Sequence, residues 1–352
     1  LRMLLCDNMR STILSALGVL VVAATCSAAT PASPRQQLSF DEGWRFHLGD
    51  AAEGGSVAFD DAAWRPLVLP HDWSAEGEFS RTNASCTGYL PGGIGWYRKS
   101  FATDPELAGR KVFITFDGVY RNADVWINGH HLGQRPYGYI TFQHDLTPYL
   151  VKAGNNVLAV RVERENVADS RWYPGSGIYR HVWLTVTHPV HVPLWGNYIT
   201  TPRASAESAD VVIQTEVTNT TPEARTVRVV WQVLNPDGTA QREFSQTEQL
   251  GAGSAHTFSQ WQKLAAPQRW SPDTPALYTM AARVFSGNEL VDETRTTFGI
   301  RTFYFDANNG FFLNGQNLKL KGLCVHHDGG VVGAAVPVDV LARRLSLVKE
   351  IG

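Results

Sequence analysis

The chain has 352 residues, 43% of them hydrophobic and 18% charged, with 11 tryptophans and a formal net charge of −2. Such a length and composition suit two or three domains with large cores and exclude wholesale disorder. The near-zero charge leaves no electrostatic footprint for nucleic acid or anionic lipid.

The chain opens on Leu1. Met9-Arg10 then gives a short basic start, Ile13–Ala24 is an apolar run, and Ser27, Ala28 and Ala29 are small. This order predicts a secretory signal peptide within residues 1–29, with Met9 as the start, residues 1–8 as upstream translation and cleavage after Ala28 or Ala29. A membrane anchor would need ~20 apolar residues, more than this run supplies. The expected location is secreted or periplasmic, free of the membrane after cleavage. Cys6 and Cys26 fall in this leader, and Cys86 and Cys324 are the remaining two. Two cysteines so far apart make no disulfide framework, and no Cys/His cluster suggests zinc. No cofactor is evident.

Residues 35–188 read as short strands between turns. "KVFITF" (Lys111–Phe116) alternates, with Val112, Ile114 and Phe116 on one face. "ADVWINGHHLG" carries Asn128-Gly129, a strong hairpin signal. "NVLAVRVE" and "RHVWLTV" are further strands. Such spacing predicts a jelly-roll β-sandwich.

A Pro-rich crossover begins at His188, and residues 189–299 form a second β block. "DVVIQTEVTN" sets Val211, Ile213, Thr215 and Val217 on one face, and "TVRVVWQVLNPDG" is a strand closed by an Asn-Pro-Asp-Gly turn. The block has the size of an immunoglobulin-like sandwich. Trp126, Trp183 and Trp231 sit in strands and are expected in cores.

The pattern changes in residues 300–352. "FFLNGQNLKLKGLCVHHD" reads as a hairpin leading into a strand, while "FDANNG" lacks the ligand spacing of a calcium loop and reads as a hairpin turn. "VPVDVLARRLSLVKEIG" has helical spacing at Leu341, Leu345 and Val348, with Asp339 as the expected cap. One β-α unit cannot bury its own apolar faces, which predicts the incomplete start of an α/β domain.

Taken in order, "FDEGWRFHLGD", "PHDW", "GGIGWYRKSF", "VWINGHHLG", "SRWYPGSGIYRHVWL", "RWSPDTPALY", "FGIRTFYFD" and "LKGLCVHHDGG" resemble glycoside hydrolase family 2, and most closely its bacterial β-galactosidases. The resemblance implies a jelly-roll sugar-binding domain, an immunoglobulin-like domain and the start of a catalytic TIM (β/α)8 barrel, a fold of about 250 residues. It also implies a retaining glycosidase with two catalytic glutamates on later barrel strands, so no catalytic residue lies within this chain and the chain alone is expected to be inactive.

The resemblance points to five substrate-binding candidates. Asp72 of "PHDW" matches a position where relatives place Asn or Asp near the sugar; the alternative is an Asx-turn. Arg171 stands where some relatives have an Asp that helps to hold sodium, so this chain departs from that pattern, and Arg171 is expected to donate to sugar hydroxyls. Trp172 offers a stacking face. His326 matches a histidine at the end of the first barrel strand, with a structural histidine as the alternative. Asp328 either bonds sugar hydroxyls or caps a turn. On a strand His326 and His327 point to opposite sides, and the resemblance favours His326 facing the pocket. Gly175 and Gly177 are expected to serve the turn.

The implied partner is a β-galactoside or related glycan. Family 2 β-glucuronidase and β-mannosidase are the rivals within the class, and a non-catalytic glycan-binding protein is the alternative outside it. Oligomeric state is not legible.

Overall fold

A computed structural model describes residues 34–104, 107–152, 154–164 and 170–352, without the side chain of residue 86. The leader expected within residues 1–29 lies outside the described residues. Among the described residues no helix is long and apolar enough to cross a membrane.

Two antiparallel sheets build the first sandwich. One has four strands in the order Gln36–Ser39, Val182–Thr187, Lys111–Phe116, Phe142–Asp145. The other has six, in the order Arg65–Leu67, Trp44–Leu48, Gly93–Ala102, Asn155–Arg164, Ala123–Ile127, His130–Arg135. Alternation drives the packing, since every second side chain of a strand faces the same way. Val112, Ile114 and Phe116 from one sheet, and Val125, Ile127, Leu158, Val160 and Val162 from the other, share one buried core with Trp44, Trp73 and Tyr97. Asn128 (φ 49°) and Gly129 (φ 83°) close the hairpin of Ala123–Ile127 and His130–Arg135, as the sequence predicts.

A second core draws on residues from Val190 to Ile300. Its long strand Ser208–Asn219 pairs with Asn197–Ala204 on one side and Ser254–Ala265 on the other. The facing sheet runs Phe244–Leu250, Arg225–Leu234, Tyr278–Ser286, Glu289–Phe298. Val211, Ile213, Thr215 and Val217 all point inward. Thr215 is tolerated there because its hydroxyl accepts from Trp231 Nε1 at 2.9 Å and donates to Asn197 Oδ1 at 2.8 Å.

Three expectations need correction. Trp231 is core, but Trp126 and Trp183 are only half-buried, because alternation turns them to outer faces. There Trp126 stacks on Trp96 at 5.3 Å, and Trp183 Nε1 donates to Asp117 at 2.8 Å. Second, the segment expected as a strand beyond Leu318 forms none. A parallel barrel strand takes its hydrogen bonds from neighbours on both sides, and the described residues supply neither. Third, the helix Val338–Glu350 forms, but Pro337 is its N-cap and Asp339 makes no capping bond, sitting instead in the first turn. "FDANNG" is the predicted turn: Asp306 Oδ1 accepts from the Asn308 and Asn309 amides at 2.9 and 2.7 Å.

Candidate functional site

The site grows from the turn that follows the cis Leu69-Pro70 bond. Asp72 caps the short 3-10 helix Trp73–Glu76 and is only 4% exposed. Its Oδ1 accepts from the Ser74 amide at 3.1 Å and the Ser176 amide at 2.9 Å. Its Oδ2 accepts from the Tyr173 hydroxyl and from the Ala334 amide, each at 2.7 Å. A carboxylate has about four lone-pair positions, and protein donors fill them all. Burial pushes the Asp72 pKa up, and the four hydrogen bonds pull against it. So Asp72 ties three distant segments together, and its Asx-type cap is one part of that role. An open acceptor for sugar is not what this geometry shows.

Close approach at this junction demands glycine. Gly175 has φ +76°, and a Cβ there would sit 2.4 Å from the Ala334 Cβ; one on Gly333 would sit 2.2 Å from Asp72 Oδ2. The sequence assigns Gly175 to a turn; the structure adds the contact with residues 333–334.

Beside the junction lies an aromatic cluster. Tyr139 has its ring 5.1 Å from Tyr120, 5.7 Å from Tyr137, 6.5 Å from Trp172 and 5.5 Å from His327. Trp172 is 42% exposed and Tyr137 62% exposed, so both offer ring surface to solvent. Trp172 Nε1 donates to the Tyr139 hydroxyl at 2.9 Å, which fixes the indole. His327 Nε2 donates to the Pro174 carbonyl at 3.1 Å and packs its ring 5.7 Å from Tyr179. Burial raises the Tyr173 and Tyr179 hydroxyl pKa values, the latter to about 12, so both stay protonated donors at neutral pH.

Of the five sequence candidates, Trp172 lies in this cluster and Arg171 is exposed next to it in sequence. Asp72 lies beneath it. The histidine that meets the cluster is His327; His326 is exposed and has no hydrogen bond among the described residues. Asp328 is half-buried, and its backbone carbonyl accepts from the Arg344 guanidinium. Sequence reasoning missed Tyr137, Tyr139 and Tyr173, and of the two neighbouring histidines it favoured His326 where His327 meets the cluster. "RPYGYITF" carries the available signal, two tyrosines around a glycine in a connecting loop. Among the described residues no three His, Cys, Asp or Glu side chains converge as metal ligands.

Two family models match. "Glycosyl hydrolases family 2, sugar binding domain" covers residues 39–189, and "Glycosyl hydrolases family 2" covers residues 190–301. The chain belongs to glycoside hydrolase family 2. Beta-galactosidase BoGH2A of Bacteroides ovatus is 46% identical over 93% of this chain and 39% of its own length. A putative beta-glucuronidase of Formosa agariphila is 37% identical over 90% of the chain and 30% of its length. The crystal structure of a family 2 member from Bacteroides cellulosilyticus superposes with a TM-score of 0.83 at 40% identity, covering 90% of this chain and 43% of that one. A Bacteroides uniformis beta-glucuronidase 2, covalently bound to cyclophellitol-6-carboxylate aziridine, superposes at 0.84 with 32% identity over 90% of this chain and 39% of that one. The chain thus spans well under half the length of these family 2 relatives.

Proposed function

We propose that this chain supplies the sugar-binding and immunoglobulin-like domains of a secreted or periplasmic retaining β-glycosidase, acting on terminal β-galactosides. The observation that carries this is the exposed aromatic surface of Tyr137 and Trp172, beside a segment 173–176 that is tied to Ala334 through Asp72 and to His327 through the Pro174 carbonyl. A pyranose ring has an apolar C–H face, and an indole or phenol ring is its natural platform, with hydroxyl donors at the edge. In this reading residues 300–352 begin a TIM barrel. The catalytic glutamates, nucleophile and acid/base about 5–5.5 Å apart, come from barrel strands outside this chain. Trp172 stacks on the sugar, and Arg171 and His326 donate to its hydroxyls. Asp72 orders the loop that presents them. Asp328 would stand at the mouth of the first barrel strand once residues 318–327 pair with barrel neighbours.

Support comes from the resemblance to BoGH2A over nearly the whole chain. A second reading, β-glucuronoside hydrolysis, is favoured by the relatives named beta-glucuronidase. The test is hydrolysis of p-nitrophenyl β-galactoside and β-glucuronide by this chain and by a protein extended to the length of its relatives. Activity on the galactoside by the extended protein alone is the expected result. Turnover by this chain alone would overturn the placement of the glutamates, and glucuronide preference would select the second reading.

A further inference from the structure

The second sandwich has an outer sheet face that the glycosidase reading leaves unused. Three of that sheet's four strands build it: Asn197–Ala204, Ser208–Asn219 and Ser254–Ala265. Register places Tyr198 opposite Gln214 and Gln214 opposite Ser259; the next outer row is Thr200, Val212 and Trp261. The third is Arg203, Asp210 and Lys263. Strict alternation would turn Arg203 to the other face. A bulge between Thr200 and Arg203 restores it to the side of Asp210. Trp261 is 53% exposed and Tyr198 63% exposed.

Trp261, Arg203, Asp210 and Lys263 line a cavity of about 410 Å³, together with Ser205 and Ser208. That volume falls in the ordinary range for small-molecule sites. Its chemistry is lopsided. Asp210 is buried and accepts from Arg203 Nε at 2.5 Å. Both Nη groups of Arg203 and the Lys263 ammonium have no partner among the described residues, and Arg203 is itself largely exposed. Glu207 lies in the adjoining turn, outside the lining, and accepts from Ser205 Oγ at 2.7 Å. The lining therefore holds two cations against one carboxylate, with a surplus of charge-assisted donors beside an exposed indole.

We infer that this face binds an acidic glycan, a pyranose chain bearing uronic acid carboxylates. A sugar ring stacks on Trp261, and its carboxylate meets the guanidinium fork of Arg203 and the Lys263 ammonium. Tyr198 lies two strand spacings across the ladder and one outer row along it, about 12 Å away, and provides a second platform for a longer chain. A neutral glycan leaves the surplus positive charge unmatched, and an apolar protein surface would strand it.

The test is affinity electrophoresis of the protein in native gels cast with glucuronoxylan, with the same polymer after carboxyl reduction, and with no polymer. Retardation is expected in the acidic gel, weakening as salt rises, with little in the reduced one. Trp261→Ala and Lys263→Ala should each weaken the apparent affinity about tenfold. Phe79→Ala, at an exposed aromatic outside this face, should leave it unchanged, which ties the loss to this face. Equal retardation in both polymers, none in either, or wild-type retardation of Trp261→Ala would overturn the inference. So would a Trp261→Ala variant that alters only self-association in size-exclusion chromatography, since the face would then join two copies of the chain.

Discussion

Replacing Asp72 tests whether one carboxylate holds the 329–334 segment to the first sandwich. Its removal in Asp72→Ala strands the amides of Ser74, Ser176 and Ala334, all buried. Each unsatisfied buried donor costs ~1–3 kcal/mol. Against that, the carboxylate no longer bears the burial that raises its pKa, and a water entering the vacated space can satisfy one or two donors. The net loss is expected at roughly 3–5 kcal/mol, as for other broken buried charge networks. Asp72→Asn is the sharper probe. Its single amide oxygen keeps the Ser74 and Ser176 bonds on the Oδ1 side, while its NH2 group replaces the Oδ2 acceptor. Tyr173 can turn its hydroxyl to accept, but the Ala334 amide cannot. The expected cost is ~1–2 kcal/mol, confined to that amide. Urea unfolding gives the totals, and amide hydrogen exchange resolved by peptide gives the place. Faster exchange at Ala334, with Ser74 and Ser176 still protected, is the expected pattern. Unchanged exchange at Ala334 in Asp72→Asn would refute the junction.

Three further outcomes follow from the geometry. Burial holds the pKa values of His71, His144, His188 and His191 below the ordinary 6.5. Their folded values are depressed, so the stability they contribute is present above pH 6.5 and is lost as pH falls through the folded values; the urea midpoint should be lower at pH 5 than at pH 7.5, and an equal or higher midpoint at pH 5 would count against it. Asp72, shifted upward, works in the opposite sense as the pH nears the carboxylate range. In the extended protein Trp172→Ala should raise KM for a β-galactoside about tenfold with a smaller change in kcat, and an unchanged KM would remove Trp172 from the sugar surface. Leu345 is 62% exposed on the helix Val338–Glu350. Leu345→Ser should therefore change the stability of this chain by less than ~0.5 kcal/mol, yet cost ~2–4 kcal/mol in the extended protein if the helix packs on a barrel; equal effects in both would refute that packing.

Local periodicity made much of the two sandwiches legible. "KVFITF" and "DVVIQTEVTN" bury the residues their alternation selects, because a strand with one dry face has no other stable register. The same rule misread "LKLKGLCVHHD", since alternation states which side a residue would take and not whether a neighbouring strand exists to pair with. The strand order was not legible at all. It depends on pairings such as Gly93–Arg164 and Gln36–Val186, far apart in the chain. No local pattern marks the aromatic residues of "RPYGYITF" as a site; the fold alone sets Tyr139 beside Trp172 and His327.

Asp72 shows why a motif could not settle its own role. "PHDW" permits both a turn cap and a sugar acceptor, and the two differ only in which donors surround the carboxylate. Three of those four donors come from residues 101, 104 and 262 positions away, beyond any local pattern. Three of its four partners are backbone amides and cannot leave without moving the chain. The fourth is the Tyr173 hydroxyl, whose raised pKa keeps it a neutral, rotatable donor. A sugar hydroxyl could bond Asp72 only by taking that one place. Displaced, Tyr173 would give up one of the two bonds, with that of the Ser176 amide, by which its loop is tied to Asp72, so direct contact between Asp72 and a sugar would loosen the loop that carries Trp172.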